Sequence, residues 1–168
     1  MFATKCPPRY LSSVTTNEQI VGPWRTLLQA QATVLGRLAT EMEAEAGLPL
    51  DWYEVLLHLQ ESPTGRLRMH ELADSLLLSR SAVTRFVDRM ETADLVRREQ
   101  CPSDRRGLEL VMTDSGRRMF LKAGRVHLRG IQEHFAAYLS SDEAEVLQRA
   151  MTRVLEAARA VPDADRAA

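Results

Sequence analysis

Aromatic side chains are scarce, at 5% of 168 residues, so any core must rest on aliphatic packing. The apolar content is mostly Leu, Ala and Val, which suits helices. Cysteine is nearly absent. Cys6 and Cys101 lie far apart, match no metal-ligand spacing and fit a reducing cytoplasm. The eight glycines form neither a phosphate-cradling loop nor a dinucleotide fingerprint. His58, His70, His127 and His134 lack the spacing of a helical zinc site, so no metal or cofactor is expected. Glu41, Glu43 and Glu45 are close in sequence, but alternate residues of a helix do not converge on one proton. Without a catalytic constellation, the expectation is that the chain is not an enzyme. No apolar run reaches membrane length, and the N-terminus lacks an apolar signal core. The expected protein is therefore cytoplasmic and makes no membrane contact. A net charge of −1 excludes a histone-like polycation.

What is present is patterned. The length allows one domain with a real core. Residues 1–15, with Pro7 and Pro8, read as a flexible N-terminal arm, and residues 161–168 as a C-terminal tail. Thr16 is expected to cap a long helix over 16–46, with Glu18 and Gln19 in its first turn. Ile20, Trp24, Leu27, Leu28, Val34, Leu35, Leu38 and Met42 recur in it at helical spacing. Gly47 and Pro49 end it. Asp51 is expected to cap a second helix, running through Leu56, Leu57 and Leu59 to about Ser62. A turn at 63–65 and a short strand at 66–69 follow.

Next comes a helix turning Leu72, Ala73 and Leu76 inward, then the run Leu77-Leu78-Ser79. Ser79 is placed to cap a fourth helix with a buried stripe of Val83, Phe86, Val87 and Met90. The other face of that helix holds Arg80, Ser81, Thr84, Arg85 and Asp88. Short hydroxyls let a backbone approach phosphates and base edges, and Arg can bond two guanine acceptors at once. Two strands follow at 95–99 and 108–112. Leu108, Leu110 and Met112 are expected inward, with Glu109 and Val111 outward. Between them Pro102, Ser103 and Gly107 suit a loop that carries Asp104, Arg105 and Arg106. From Ser79 to Arg106 seven arginines face five acids, a local surplus of two positive charges in a chain that is otherwise acidic. On charge alone, a solvated helical surface reads equally well.

Thr113 is expected to cap the fifth helix, with Asp114 in its first turn and Gly124 and Gly130 as points of bending. Ser140 and Glu143 form a capping-box pattern for the last helix. Its stripe of Leu147, Met151, Val154 and Ala158 fits either core or a seam with a partner.

Two local patterns carry a family resemblance. One is Leu72-Ala73, Leu76, then Leu78-Ser79-Arg80-Ser81-Ala82-Val83-Thr84-Arg85, then Val87-Asp88-Arg89-Met90-Glu91. The other is D-x-R at Asp104-Arg105-Arg106 with Met112-Thr113 six residues on, followed by Gly116. Over residues 17–160 the chain resembles the multiple antibiotic resistance regulator (MarR) family. It departs at Leu77 and Asp94, where glycine often stands. Asp tolerates a left-handed cap better than most residues.

The resemblance implies a mainly α fold with a small β-wing. A winged helix-turn-helix would span about 51–113 of a single domain over 16–160, with dimerisation helices at about 16–46 and 114–160. It implies a homodimer that binds double-stranded DNA at a pseudo-palindromic operator and acts as a repressor released by a small aromatic or phenolic effector. DNA would be met by Ser79, Arg80, Ser81, Thr84, Arg85 and Arg89. In the wing, Asp104 would hold Arg106 over the minor groove and Arg105 would meet a phosphate. Trp24, Arg25, Trp52, Tyr53 and His58 fall where an effector pocket would lie. The alternative is a helical protein-interaction module without DNA binding. It would account for the terminal helices but not for the arginine-bearing wing.

Overall fold

The computed structural model describes residues 14–76, 80–101 and 104–160, with the backbone alone at 14–17, 19, 20, 80 and 104–106. The expected arm and tail and Leu77, Leu78 and Ser79 thus lie outside the described residues, apart from the arm's last two. The chain divides between Gly36 and Arg37 into two compact units.

The first unit holds most of helix α1 (Val14–Glu41). The helix begins two residues before Thr16, which therefore sits inside the first turn and not at the cap. A cap residue is worth about 1 kcal/mol, too little to stop a helix that its neighbours extend. Pro23 lies within α1 and removes one hydrogen bond from its ladder, a feature the periodicity did not reveal. Trp24, Leu27, Leu28 and Leu35 are exposed.

In the second unit, Leu38 is buried and a wide turn at Met42–Ala46 closes the first helix. Gly47 ends it as expected, with φ 72° and its N–H donating to the Met42 and Glu43 carbonyls. Helix α2 (Leu50–Glu61) is capped by Pro49, so Asp51 lies one residue inside and not at the cap. Proline at 49 already fixes a suitable φ, and the Asp51 carboxylate accepts the Trp52 N–H at 2.9 Å.

After a turn in which Gly65 has φ 66°, the order is β1 (Arg66–Arg68), α3 (Met69–Leu76), α4 (Arg80–Thr92), β2 (Val96–Cys101) and β3 (Asp104–Met112). Helix α5 (Asp114–His134), a short turn at Ala136–Tyr138 and α6 (Ser141–Ala160) complete it. The sheet is antiparallel with β3 in the centre, between β1 and β2. Val55, Leu56 and Leu59 of α2, Leu72 of α3, Val83, Val87 and Met90 of α4, and Val96 and Leu110 of the sheet are at most 2% exposed. Burying each contributes about 1.5–3 kcal/mol.

Two expectations about the wing need correction. Asp104, Arg105 and Arg106 belong to β3 and not to a long loop, since Cys101 pairs with Asp104. The register jumps between Gln100, opposite Leu108, and Cys101, opposite Asp104, so the extra residues form an irregularity in β3. The alternation holds at Leu110, which is buried, and at Met112, which packs against the core, but it fails at two positions: Val111 is 7% exposed and Leu108 is 48% exposed. Val111 stands in the central strand directly between Arg66 and Arg97, where long neighbouring side chains can shield it from water. Leu108 lies further out along the wing, beyond the reach of the core.

Candidate nucleic-acid interface

The amphipathic pattern of α4 is realised. Val83, Phe86, Val87 and Met90 are buried, while Ser81, Thr84, Arg85, Asp88 and Arg89 are exposed on the other side. Arg80 is the first residue of α4; its side chain, like Ser79, lies outside the described residues. Arg89 rests over the Phe86 ring, 5.5 Å from its centre, which holds the stem against the helix and leaves the head in water. An open depression on this face is lined by Ala82, Arg85, Phe86, Asp88 and Arg89.

Not every arginine of the segment is available to a ligand. Arg97 pairs with Glu99 at 2.7 Å, and Arg98 pairs with Asp88 at 2.7 Å and with Glu91. Among the described side chains of the segment, the arginine charge left without an ion pair is therefore that of Arg85 and Arg89, on the exposed side of α4.

The junction from α4 to the sheet is tightly specified. Asp94 has φ 56°, the left-handed conformation expected for a residue standing where glycine is common. The Thr113 hydroxyl donates to the Asp94 carbonyl at 2.6 Å and accepts the Gly116 N–H at 2.9 Å. One side chain thus caps α5, as the sequence implied, and ties it to the turn below α4.

On the outer face of the sheet Arg66 reaches Glu99 at 2.6 Å and faces Glu109 at 3.5 Å. Hydrogen bonds from Arg97 and then Arg66 hold the Glu99 carboxyl below its ordinary range. This ladder and the Arg98 contacts went unseen in the sequence. Apart from Arg97 and Glu99, which share β2, they join residues on different elements, and their one trace is the opposite charges that become neighbours once the strand register is known. The backbones of Asp104, Arg105 and Arg106 lie in β3, and the expected Asp104–Arg106 ion pair lies outside the described side chains.

The effector candidates divide. Trp52 is half-buried against the core, His58 is half-buried in the last turn of α2, and Tyr53 is buried. Tyr53 stacks on Phe120 with ring centres 5.3 Å apart and meets His127 at 4.7 Å. Burial, and secondarily the charge of Glu61, raise the Tyr53 phenol above its ordinary pKa; burial lowers His127. Tyr53 is thus a packing strut between α2 and α5. Trp24 and Arg25 lie exposed on α1 in the other unit. Among the described residues no helix is long and apolar enough to cross a membrane.

This arrangement is similar to known proteins. Residues 46–107 match the family model described as MarR family. The HTH-type transcriptional repressor MdtR of Bacillus subtilis (strain 168) is 35% identical over 81 residues, which are 47% of this chain and 50% of that protein. The chain thus spans about half the length of that relative. The crystal structure of AbsC, a MarR family transcriptional regulator from Streptomyces coelicolor, is 34% identical with a TM-score of 0.78, over 89% of this chain and 99% of that one. Sco3205, a MarR family transcriptional regulator of the same organism solved in complex with DNA, is 32% identical with a TM-score of 0.78, over 96% and 97% of the two chains. With a buried α4 stripe, a three-stranded wing sheet and relatives matched over nearly their whole length, this chain belongs to the MarR family of transcriptional regulators.

Proposed function

We propose that the chain is a sequence-specific, double-stranded DNA-binding repressor that acts as a homodimer. The observation that carries this reading is the exposed face of α4, where Ser81, Thr84, Arg85 and Arg89 stand opposite the buried stripe and the two arginines are not neutralised by neighbours. Such a face is suited to the major groove, with Arg85 bidentate to a guanine and the hydroxyls near base edges or phosphates. Arg105 and Arg106 would reach the backbone and minor groove beside it, with Asp104 as the tether. Ser79 and Arg80 would approach phosphate at the start of the helix. The solved DNA complex of Sco3205 and the naming of MdtR as a repressor support the reading.

Dimerisation through the terminal helices, about 16–46 and 114–160, is supported by their uncovered apolar residues. On α6 Val146, Val154 and Leu155 are more than half exposed, and no described residue of that helix is buried. Two recognition helices related by a two-fold axis would read a pseudo-palindromic operator, in the cytoplasm, at the nucleoid. The winged helix-turn-helix would occupy about 51–113. A small aromatic or phenolic acid would release the operator by its differential affinity for the DNA-free state.

Selection of bound duplexes from a random library, followed by anisotropy titration at defined salt, tests the proposal. It expects a two-fold-symmetric site enriched over non-specific duplex by roughly 10³ or more. A folded chain that retains no duplex above background refutes it.

A further inference from the structure

We propose that Arg98 is a positioning residue for DNA recognition: its guanidinium fixes the roll of α4 and locks the helix to the wing. The inference rests on the DNA-binding reading above and concerns a residue outside the face that reading assigns to DNA.

Arg98 sits in β2, yet its contacts are with α4. Its guanidinium donates to the Thr84 carbonyl at 3.2 Å, to the Asp88 carboxylate at 2.7 Å and to the Glu91 carboxylate. Its backbone N–H donates to the other Glu91 oxygen at 2.7 Å. Residues 84, 88 and 91 lie on one stripe of the helix, spanning about 10 Å of its length. That stripe runs from the exposed face bearing Ser81 and Arg85, where Thr84 and Asp88 stand, to the half-buried Glu91. The Arg98 side chain is only 20% exposed, against 59% for its neighbour Arg97.

The reason for such a clamp lies in the limits of apolar packing. Val83, Phe86, Val87 and Met90 bury α4, but hydrophobic contact is non-directional and leaves its roll loosely determined. A bidentate base contact requires the reading side chain to be placed within a few tenths of an ångström, which hydrogen bonds can enforce. The planar guanidinium has donors in a fixed fork, so gripping three acceptors on one stripe sets the rotation of the helix. It also neutralises Asp88, an acid on the face proposed to approach phosphates. Because β2 pairs with β3, which carries Arg105 and Arg106, the same side chain ties the helix and the wing into one unit.

The test compares Arg98→Lys, Arg98→Ala and the double variant Asp88→Asn/Glu91→Gln with the wild type. Anisotropy titrations would use the selected operator, each single-base variant of it and an unrelated duplex, at two salt concentrations, with thermal melting as the check on folding. Lysine keeps the charge but concentrates it in one compact ammonium that cannot span three acceptors. All three variants are expected to bind the operator at least roughly tenfold more weakly, the scale of one specific base contact. Discrimination between bases should shrink, while affinity for unrelated duplex and the salt dependence stay near wild type. A role in folding alone would weaken every duplex by the same factor and leave discrimination intact; that result overturns the proposal. So does full rescue by lysine combined with a salt slope about one unit shallower in Arg98→Ala, the mark of a direct phosphate contact. If Arg98→Ala melts below the assay temperature, the lysine and double variants decide the matter. Wild-type binding with unchanged variants removes the clamp alone, whereas a wild type that binds no duplex removes the DNA reading and the clamp with it.

Discussion

Gly116 in the first turn of α5 lies directly against the backbone carbonyl of Leu95, so that a β-carbon at 116 would stand 2.0 Å from that oxygen. The same oxygen accepts the Thr113 N–H at 3.1 Å, which pins it in place. Gly116→Ala is therefore expected to destabilise the fold by at least about 1–3 kcal/mol, because backbone must move. At Gly130 an added β-carbon would meet the Leu38 Cδ2 at 2.4 Å and the Glu41 Oε2 at 3.0 Å, both at the ends of side chains. Gly130→Ala should cost less, since those ends can shift and alanine gains roughly 0.5–1 kcal/mol of helix propensity. Thermal melts of the two variants check the ranking, and a Gly130 variant less stable than the Gly116 variant contradicts it.

The two arginine sets should fail differently. Arg85→Ala is expected to lose about 1–3 kcal/mol per half-site and to relax preference at one base position. Arg106→Ala should weaken binding to all sequences together and make the salt dependence shallower. Asp104→Ala should show a partial form of the Arg106 loss. Titration of the operator and its single-base variants at two salt concentrations separates these outcomes; a reversed pattern exchanges the roles of helix and wing.

Val154 is 58% exposed on α6, in the stripe with Leu147 and Met151. In a dimer seam an aspartate there would be desolvated without a partner. Val154→Asp should weaken dimerisation by roughly a hundredfold or more. Light scattering should find the wild type at twice the 18.9 kDa chain mass and the variant shifted toward one. A wild type that stays monomeric at micromolar concentration rules the seam out.

His127 gives a pH signature. Burial beside Tyr53 holds its pKa below the ordinary imidazole value of about 6.5. The unfolded chain therefore binds more protons at this site as pH falls through and below that value, so acidification removes stability. Above it the imidazole is neutral in both states and contributes nothing to the slope. Urea unfolding from pH 7.5 to 5 should show stability falling more steeply for the wild type than for His127→Phe. Equal slopes would mean that His127 charges as readily in the folded protein as in the unfolded chain.

What could be read ahead of the structure was whatever depends on neighbours along the chain. The stripes of α3 and α4, the capping pair of Ser140 and Glu143, the Gly47 stop and the Thr113 cap are short-range patterns, and each is present. Helix starts were less legible: Thr16 and Asp51 both suit a cap, but local preference yields to what precedes them, as Pro49 demonstrates. Features that depend on register were hidden. Val111 is buried in the central strand, and its cross-strand neighbours Arg66 and Arg97 are known only from the register. Arg98 finds its acceptors seven to fourteen residues back, on another element. On the candidate site, the exposed face of α4 was legible from helical periodicity alone. The division of its arginines into paired and unpaired was not, since it requires knowing which acids fold against them.

The left-handed residue at 94 also bears on how this regulator can change over generations. Asp, Asn and Gly all occupy that conformation at low strain, so exchanges among them leave the path from α4 into β2 intact. A β-branched residue there would have to leave the left-handed region and would carry Leu95, and the whole wing behind it, out of place. Drift at 94 thus favours a three-letter alphabet, while the exposed positions of α4 not held by Arg98 remain free to vary and so to move a lineage from one operator to another.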